Sequence, residues 1–125
     1  MTDEPTGLPD DCPFCNYDGP SEVVWRGHGG IIAFEPLNPV VPGHMLFIND
    51  QRHFEDASKD HVAAARVFAA AADWAGRRGR EKGEFQPFNL ITSGGAEATQ
   101  NIFHFHVHYV PRRRGDGLFL PWGHA

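Results

Sequence analysis

The 125-residue chain lacks any apolar run near the ~20 residues that a bilayer-spanning helix requires. Its first eleven residues are acidic and proline-rich, without the basic start and apolar middle of a secretory leader. These two absences lead to the expectation of a cytoplasmic protein with no membrane partner. A broad basic stripe is also missing. Six acids precede the first basic residue, Arg26, and the remaining ten acidic and eleven basic residues nearly cancel. A long nucleic acid, whose binding rests on counterion release, is therefore not an expected partner. The one concentrated positive run, Arg112-Arg113-Arg114, reads either as solvated surface or as a local attraction for a small anion. No internal repeat is visible.

What the chain has is a globule's composition: 41% hydrophobic residues, three Trp and ten Phe, enough for one packed domain. Residues 1–11 read as a loose tail and 12–125 as the domain. Val23-Val-Trp25 and Ile31-Ile-Ala-Phe34 are β-rich and flank a glycine turn at 27–30, which predicts a hairpin. Pro36, Pro39 and Pro42 forbid regular pairing and predict an extended connector, after which His44–Ile48 reads as a third strand. An alanine-rich helix is predicted over about 58–79, capped by Asp56 or Ser58, with Val62, Ala65, Ala69 and Ala72 as its packing face. Phe88–Thr92 and Ile102–Val110 complete the strands. The expected fold is α+β: a mostly antiparallel five-stranded sheet with one long helix packed on it.

The last predicted strand alternates strictly. Strand side chains point to opposite faces in turn, so Phe103, Phe105, Val107 and Tyr109 share one face and His104, His106 and His108 the other. Same-face histidines stand roughly 6.6–7 Å apart at Cα. Two chemistries suit such a row: metal ligation by neutral imidazole, or nucleophilic attack on phosphorus. Gly94-Gly95 and Gln100-Asn101, just before the run, supply donors for phosphate oxygens, which a lone metal site would not need.

The segments Pro42-Gly-His-Met-Leu-Phe-Ile48 and Gln100-Asn-Ile-Phe-His-Phe-His-Val-His-Tyr-Val-Pro-Arg112 resemble those of the histidine triad (HIT) family. Domain size and the closing Pro121-Trp-Gly123 are similar to the Hint branch, whose members are homodimers; the Fhit branch, which cleaves dinucleoside polyphosphates, stays open. The resemblance implies a nucleoside phosphoramidase or dinucleoside polyphosphate hydrolase. A nucleotide-binding regulatory or scaffold protein with little turnover is the alternative. His106 is implied as the nucleophile, forming a nucleotidyl-histidine. His108 is implied to bind phosphate and assist the leaving group, with His44 polarising the same site. Loss of His44 or His108 is expected to cost roughly 10²–10⁴ in rate. Gln100 and Asn101 are implied as phosphate donors, and the Phe34–Asn38 segment borders base and ribose. Pro36 stands where the family often has a ribose-binding Asp, leaving Glu35 or Asn38 for the ribose hydroxyls. Ser93 replaces a common Asn.

Cys12-Pro-Phe-Cys15 is the only cysteine pair. A redox motif of this spacing needs a strand before it and a helix after it, whereas this one lies between an acidic tail and a turn. It reads better as half of a tetrahedral zinc site, with free or oxidised cysteines as the other possibility. The resemblance implies His53 and His104 as the remaining ligands of a structural zinc that catalysis does not need. His53 lies nine residues after His44, where eight is expected.

Overall fold

The computed structural model describes residues 7–124; of the expected tail, residues 1–6 lie outside that range. Five strands form one antiparallel sheet in the order β1-β2-β3-β5-β4: Val23–Arg26, Ile31–Phe34, Met45–Asn49, Val107–Pro111 and Phe88–Ile91. One long helix, α1, spans His61–Lys82. A short pair, β6 (Phe119–Leu120) and β7 (Gly123–His124), follows and was not expected. This is the α+β architecture anticipated.

The sheet separates two cores. On the helix side, Ala33, Met45, Phe47, Phe105, Val107 and Tyr109 pack against α1. On the other side, Ile32, Phe34, Leu46 and Ile48 pack against Phe14 of the irregular N-terminal segment. Neighbouring strand residues thus serve opposite layers, as the pleat demands.

The helix begins later than predicted. Asp60 caps it, accepting the Ala63 N–H at 3.1 Å, while Asp56 caps a preceding 3-10 turn by accepting from Ser58 N at 2.8 Å. It runs past Gly79 and stops at Gly83, whose φ of +77° ends it in the left-handed region. The packing face also differs from expectation. Ala63, Ala64, Val67, Ala71 and Ala75 are buried, whereas Val62 is 52% exposed and Ala65, Ala69 and Ala72 face outward. An alanine-rich run carries little contrast between faces; the half-buried Phe68 and Trp74 set the orientation instead.

Strand β5 begins five residues later than predicted. The residues before it make bonds outside the ladder: Phe105 N–H donates to Phe54 O (2.7 Å), and a His104 ring nitrogen takes the Asn49 carbonyl (2.8 Å). Phe103, expected in the core, is 48% exposed. Period-two alternation still holds from His104 to Tyr109. Beyond β5, Arg112 is structural: it pairs with the buried Asp116 (2.7 Å) and donates to Asn89 Oδ1 and Leu118 O. Its guanidinium is therefore not available as a free anion attractor.

Candidate active site and metal centre

His44 sits at the mouth of β3, where Gly43 adopts a φ of +88° that turns the proline connector into the strand. Leu46 pairs with His108 in the β3–β5 ladder, which brings the His44 and His108 rings together. His106, just ahead of β5, has its ring centroid 5.2 Å from that of His108. All three line one cavity of about 870 Å³.

The hydrogen bonds assign the protons. His106 Nδ1–H donates to the His104 carbonyl at 2.7 Å, leaving Nε2 with a free lone pair. Val40 N–H donates to His44 Nδ1 at 3.1 Å, so His44 carries its hydrogen on Nε2. That hydrogen points at His108 Nδ1, 2.9 Å away, and His108 in turn holds its own hydrogen on Nε2. The site therefore combines an imidazole lone pair with an imidazole N–H donor. Burial lowers the pKa of His44 and His106, and burial together with the neighbouring His106 and His44 lowers that of His108 to about 4. All three are neutral at pH 7.

Of the residues expected around the nucleotide, Phe34, Asn38, Gln100 and Asn101 line the cavity. Glu35 does not. It follows Phe34 in an extended chain, so its side chain turns to the opposite side and borders a separate cleft with Val24, Met45 and Trp74. Gln100 is 4% exposed, and both its amide hydrogens already have acceptors, Glu55 O and Ile102 O. Its Oε1 accepts the Gly95 N–H at 2.8 Å. These two expected phosphate donors are thus bonded to each other or to the chain, and they shape the 94–101 loop. Asn101 is exposed at the cavity.

Sequence reasoning missed the N-terminal wall. Pro13, Phe14, Tyr17 and Asp18 all line the cavity, and Asp18 is its one carboxylate among the described residues. Tyr17 stacks on Phe34 with centroids 4.1 Å apart and planes 9° apart. The aromatic pair Phe14 and Tyr17 in Cys12–Asp18 was the available signal. Asp50 was missed too: its carbonyl accepts Asn16 N–H (2.8 Å) and its carboxylate Tyr17 N–H (3.0 Å). It fastens this wall to the turn after β3.

Cys12, Cys15, His53 and His104 converge, with their ligand atoms all within 4.8 Å of one another. The fit to a tetrahedral metal is close. Zinc bonds of about 2.3 Å to sulfur and about 2.05 Å to nitrogen imply S···N separations of about 3.6 Å and N···N of about 3.4 Å. Here Cys12 Sγ and Cys15 Sγ lie 3.4 and 3.5 Å from His104 Nδ1, and Cys15 Sγ lies 3.5 Å from His53 Nδ1. His53 Nδ1 and His104 Nδ1 are 3.3 Å apart. Each ring's other nitrogen faces an oxygen: Asn49 O at 2.8 Å from His104, and the Glu55 carboxylate at 3.9 Å from His53. Burial and the adjacent Cys12 push the Cys15 thiol up to about 12, a cost that a bound cation would reverse. A turn at Asp50-Gln51 lies between β3 and His53. His104 thus faces the cysteines, not the cavity, so the three triad rings do not converge on one ion.

Residues 20–115 match the HIT domain, and the chain belongs to this family. A Bacillus subtilis relative, "Protein hit", is 31% identical over 119 residues, covering 90% of this chain and 79% of its own length. "Adenylylsulfatase HINT3" of Arabidopsis thaliana and the asymmetrical bis(5'-nucleosyl)-tetraphosphatase of Schizosaccharomyces pombe are each 25% identical; they cover 93% and 87% of this chain, which spans 59% of each. A zinc-bound histidine triad protein from Mycobacterium smegmatis superimposes with a TM-score of 0.66 at 25% identity, covering 92% of this chain and 83% of that one.

Proposed function

We propose that the protein is a nucleotide hydrolase or transferase acting through a covalent nucleotidyl-His106 intermediate. The observation that carries this reading is the paired proton arrangement: a free lone pair on His106 Nε2 beside an N–H on His108 Nε2, in one cavity. The His106 lone pair attacks the α-phosphorus, and a P–N bond forms as the bond to the leaving group breaks. The leaving group takes the proton from His108 Nε2. Water then attacks the same phosphorus, gives its proton to His108, and releases His106 with the nucleoside monophosphate. Because the Asp18 carboxylate and Asn38 both line the cavity, they are assigned to the ribose hydroxyls in place of an acid at Pro36. Tyr17 and Phe34 form the wall beside the base. Relatives named for adenylylsulfate and dinucleoside tetraphosphate cleavage support an anhydride substrate; a phosphoramidate, with its basic leaving nitrogen, suits protonation by His108 equally.

Zinc held by Cys12, Cys15, His53 and His104 is assigned a structural role, since none of its four ligands is placed at the reacting phosphorus. A homodimer is proposed through β4, which forms an edge of the sheet beside the 74%-exposed Phe85. A cytoplasmic location remains part of the reading; no helix of the described residues is long and apolar enough to cross a membrane.

The test is incubation with adenosine 5′-phosphoramidate and, separately, a dinucleoside tetraphosphate, followed by AMP release. Denaturing alkaline quench should trap a nucleotidyl adduct on His106. Turnover that survives His106→Ala sinks the proposal, and saturable binding without turnover selects the regulatory reading instead.

A further inference from the structure

We infer that the metal cluster and the nucleotide cavity are energetically coupled, so that each ligand strengthens the other's binding although they do not touch. This rests on the nucleotide reading above. The N-terminal segment alternates its duties: Cys12 and Cys15 supply metal ligands, while Pro13, Phe14, Tyr17 and Asp18 line the cavity. Neither end of this wall is set by a strand or helix, since none lies between residues 7 and 22. Its fastenings to the turn after β3 are the two bonds to Asp50 and a 3.2 Å bond from Gln51 to Asn16. Phe14 and Tyr17 also pack on Phe34, and the metal cluster adds a further anchor, tying Cys12 and Cys15 to His53 and His104.

Two physical connections lead from that anchor to the chemistry. The first is Phe14, buried between the sites. Its ring meets His104 edge-on at 5.9 Å, His106 at 5.5 Å and Phe34 at 5.6 Å. The second is the His104 backbone: its imidazole faces the cysteines, and its carbonyl accepts the His106 Nδ1 hydrogen that leaves Nε2 free. Without the metal, the wall has fewer fixed positions, and a nucleotide must order it on binding. With the metal, that ordering is already done. Linkage then requires the effect to be reciprocal: a nucleotide that orders the wall raises the metal affinity by the same factor.

The experiment uses AMP and zinc with the full chain. AMP is titrated calorimetrically into zinc-loaded protein, chelator-treated protein, and treated protein with zinc restored. Circular dichroism verifies that α1 persists. Coupling of the usual size predicts AMP affinity about 5–150-fold weaker without zinc, and recovered on re-addition. A folded, zinc-free protein with unchanged AMP affinity overturns the inference. If chelation unfolds the chain, the reciprocal measurement decides on intact protein. Zinc transfer to a chromophoric chelator is followed with and without saturating AMP, which should raise the apparent zinc affinity by at least about fivefold. AMP's own weak hold on zinc works in the opposite direction, so a gain cannot come from that source. Transfer unaffected by AMP overturns the coupling. Failure of AMP to bind even the zinc-loaded protein would instead refute the nucleotide reading.

Discussion

Replacing His44 with Phe isolates the contribution of a ring whose two nitrogens are both engaged inside the protein. Nδ1 accepts from Val40 N–H and Nε2 donates to His108 Nδ1, so neither is free for substrate. His44 therefore acts through His108, which gains negative charge as it gives its Nε2 hydrogen to the leaving group, and the His44 N–H opposite stabilises that charge until the attacking water returns a proton. A hydrogen bond to a charged group contributes about 1.5–3 kcal/mol. At about 1.4 kcal/mol per factor of ten, kcat/KM should fall about 10–150-fold. Phe fills the site, which is 4% exposed, with a ring of similar shape, and the released Val40 N–H lies on a 54%-exposed residue that water reaches. Folding should thus be largely preserved. The assay is AMP release from adenosine 5′-phosphoramidate, beside His108→Asn and His106→Ala. His108→Asn should lose roughly 10²–10⁴, because an amide N–H can hydrogen-bond but cannot give its proton to the leaving group, and His106→Ala should lose all turnover. A His44→Phe loss under about threefold, or one equal to that of His106→Ala, would refute the relay.

Other consequences follow from burial and packing. The lowered pKa of His106 predicts an acid limb of kcat/KM centred below 6.5; a limb at or above 7 would contradict a buried neutral nucleophile. Because burial and the neighbouring His106 and His44 hold the folded pKa of His108 at about 4, below the ordinary histidine value of 6.5, the unfolded chain binds more protons in between. Stability should therefore be complete above about pH 6.5 and fall as pH drops toward about 4, as urea titrations across that range would show. Asp18→Ala should erase most of the preference for AMP over its 2′-deoxy analogue in competition binding, and an unchanged ratio would remove Asp18 from the sugar site. Ala71 is fully buried on the sheet-facing side of α1, so Ala71→Leu should destabilise by about 1–3 kcal/mol in urea unfolding, and a neutral result would mean the helix sits further from the sheet.

The triad was legible because period-two alternation is a local property: Phe105, Val107 and Tyr109 declare one face and His104, His106 and His108 the other. The sheet and the hairpin at Gly27–Gly30 were legible for the same reason. Its N-terminal wall was not, since Pro13, Phe14, Tyr17 and Asp18 follow no periodicity and take their role from contacts with β2 and β3. Glu35 and Asn38 looked equivalent as sequence, and the path of the connector after Phe34 separates them. Gln100 carries a donor on paper, but its nearest acceptors are the carbonyls of Glu55 and Ile102, the first of them 45 residues away in sequence. Alanine-rich α1 gave its existence but not its face, because near-identical small side chains leave rotation to Phe68 and Trp74.

The alternation of duties between Leu46 and Phe47 means that inheritance can act on the two sides of one strand separately. Changes in the layer beneath α1 are judged by whether the chain folds, and changes in the layer beneath Phe14 by what it holds. A lineage can therefore acquire a new taste in small molecules while keeping an old skeleton.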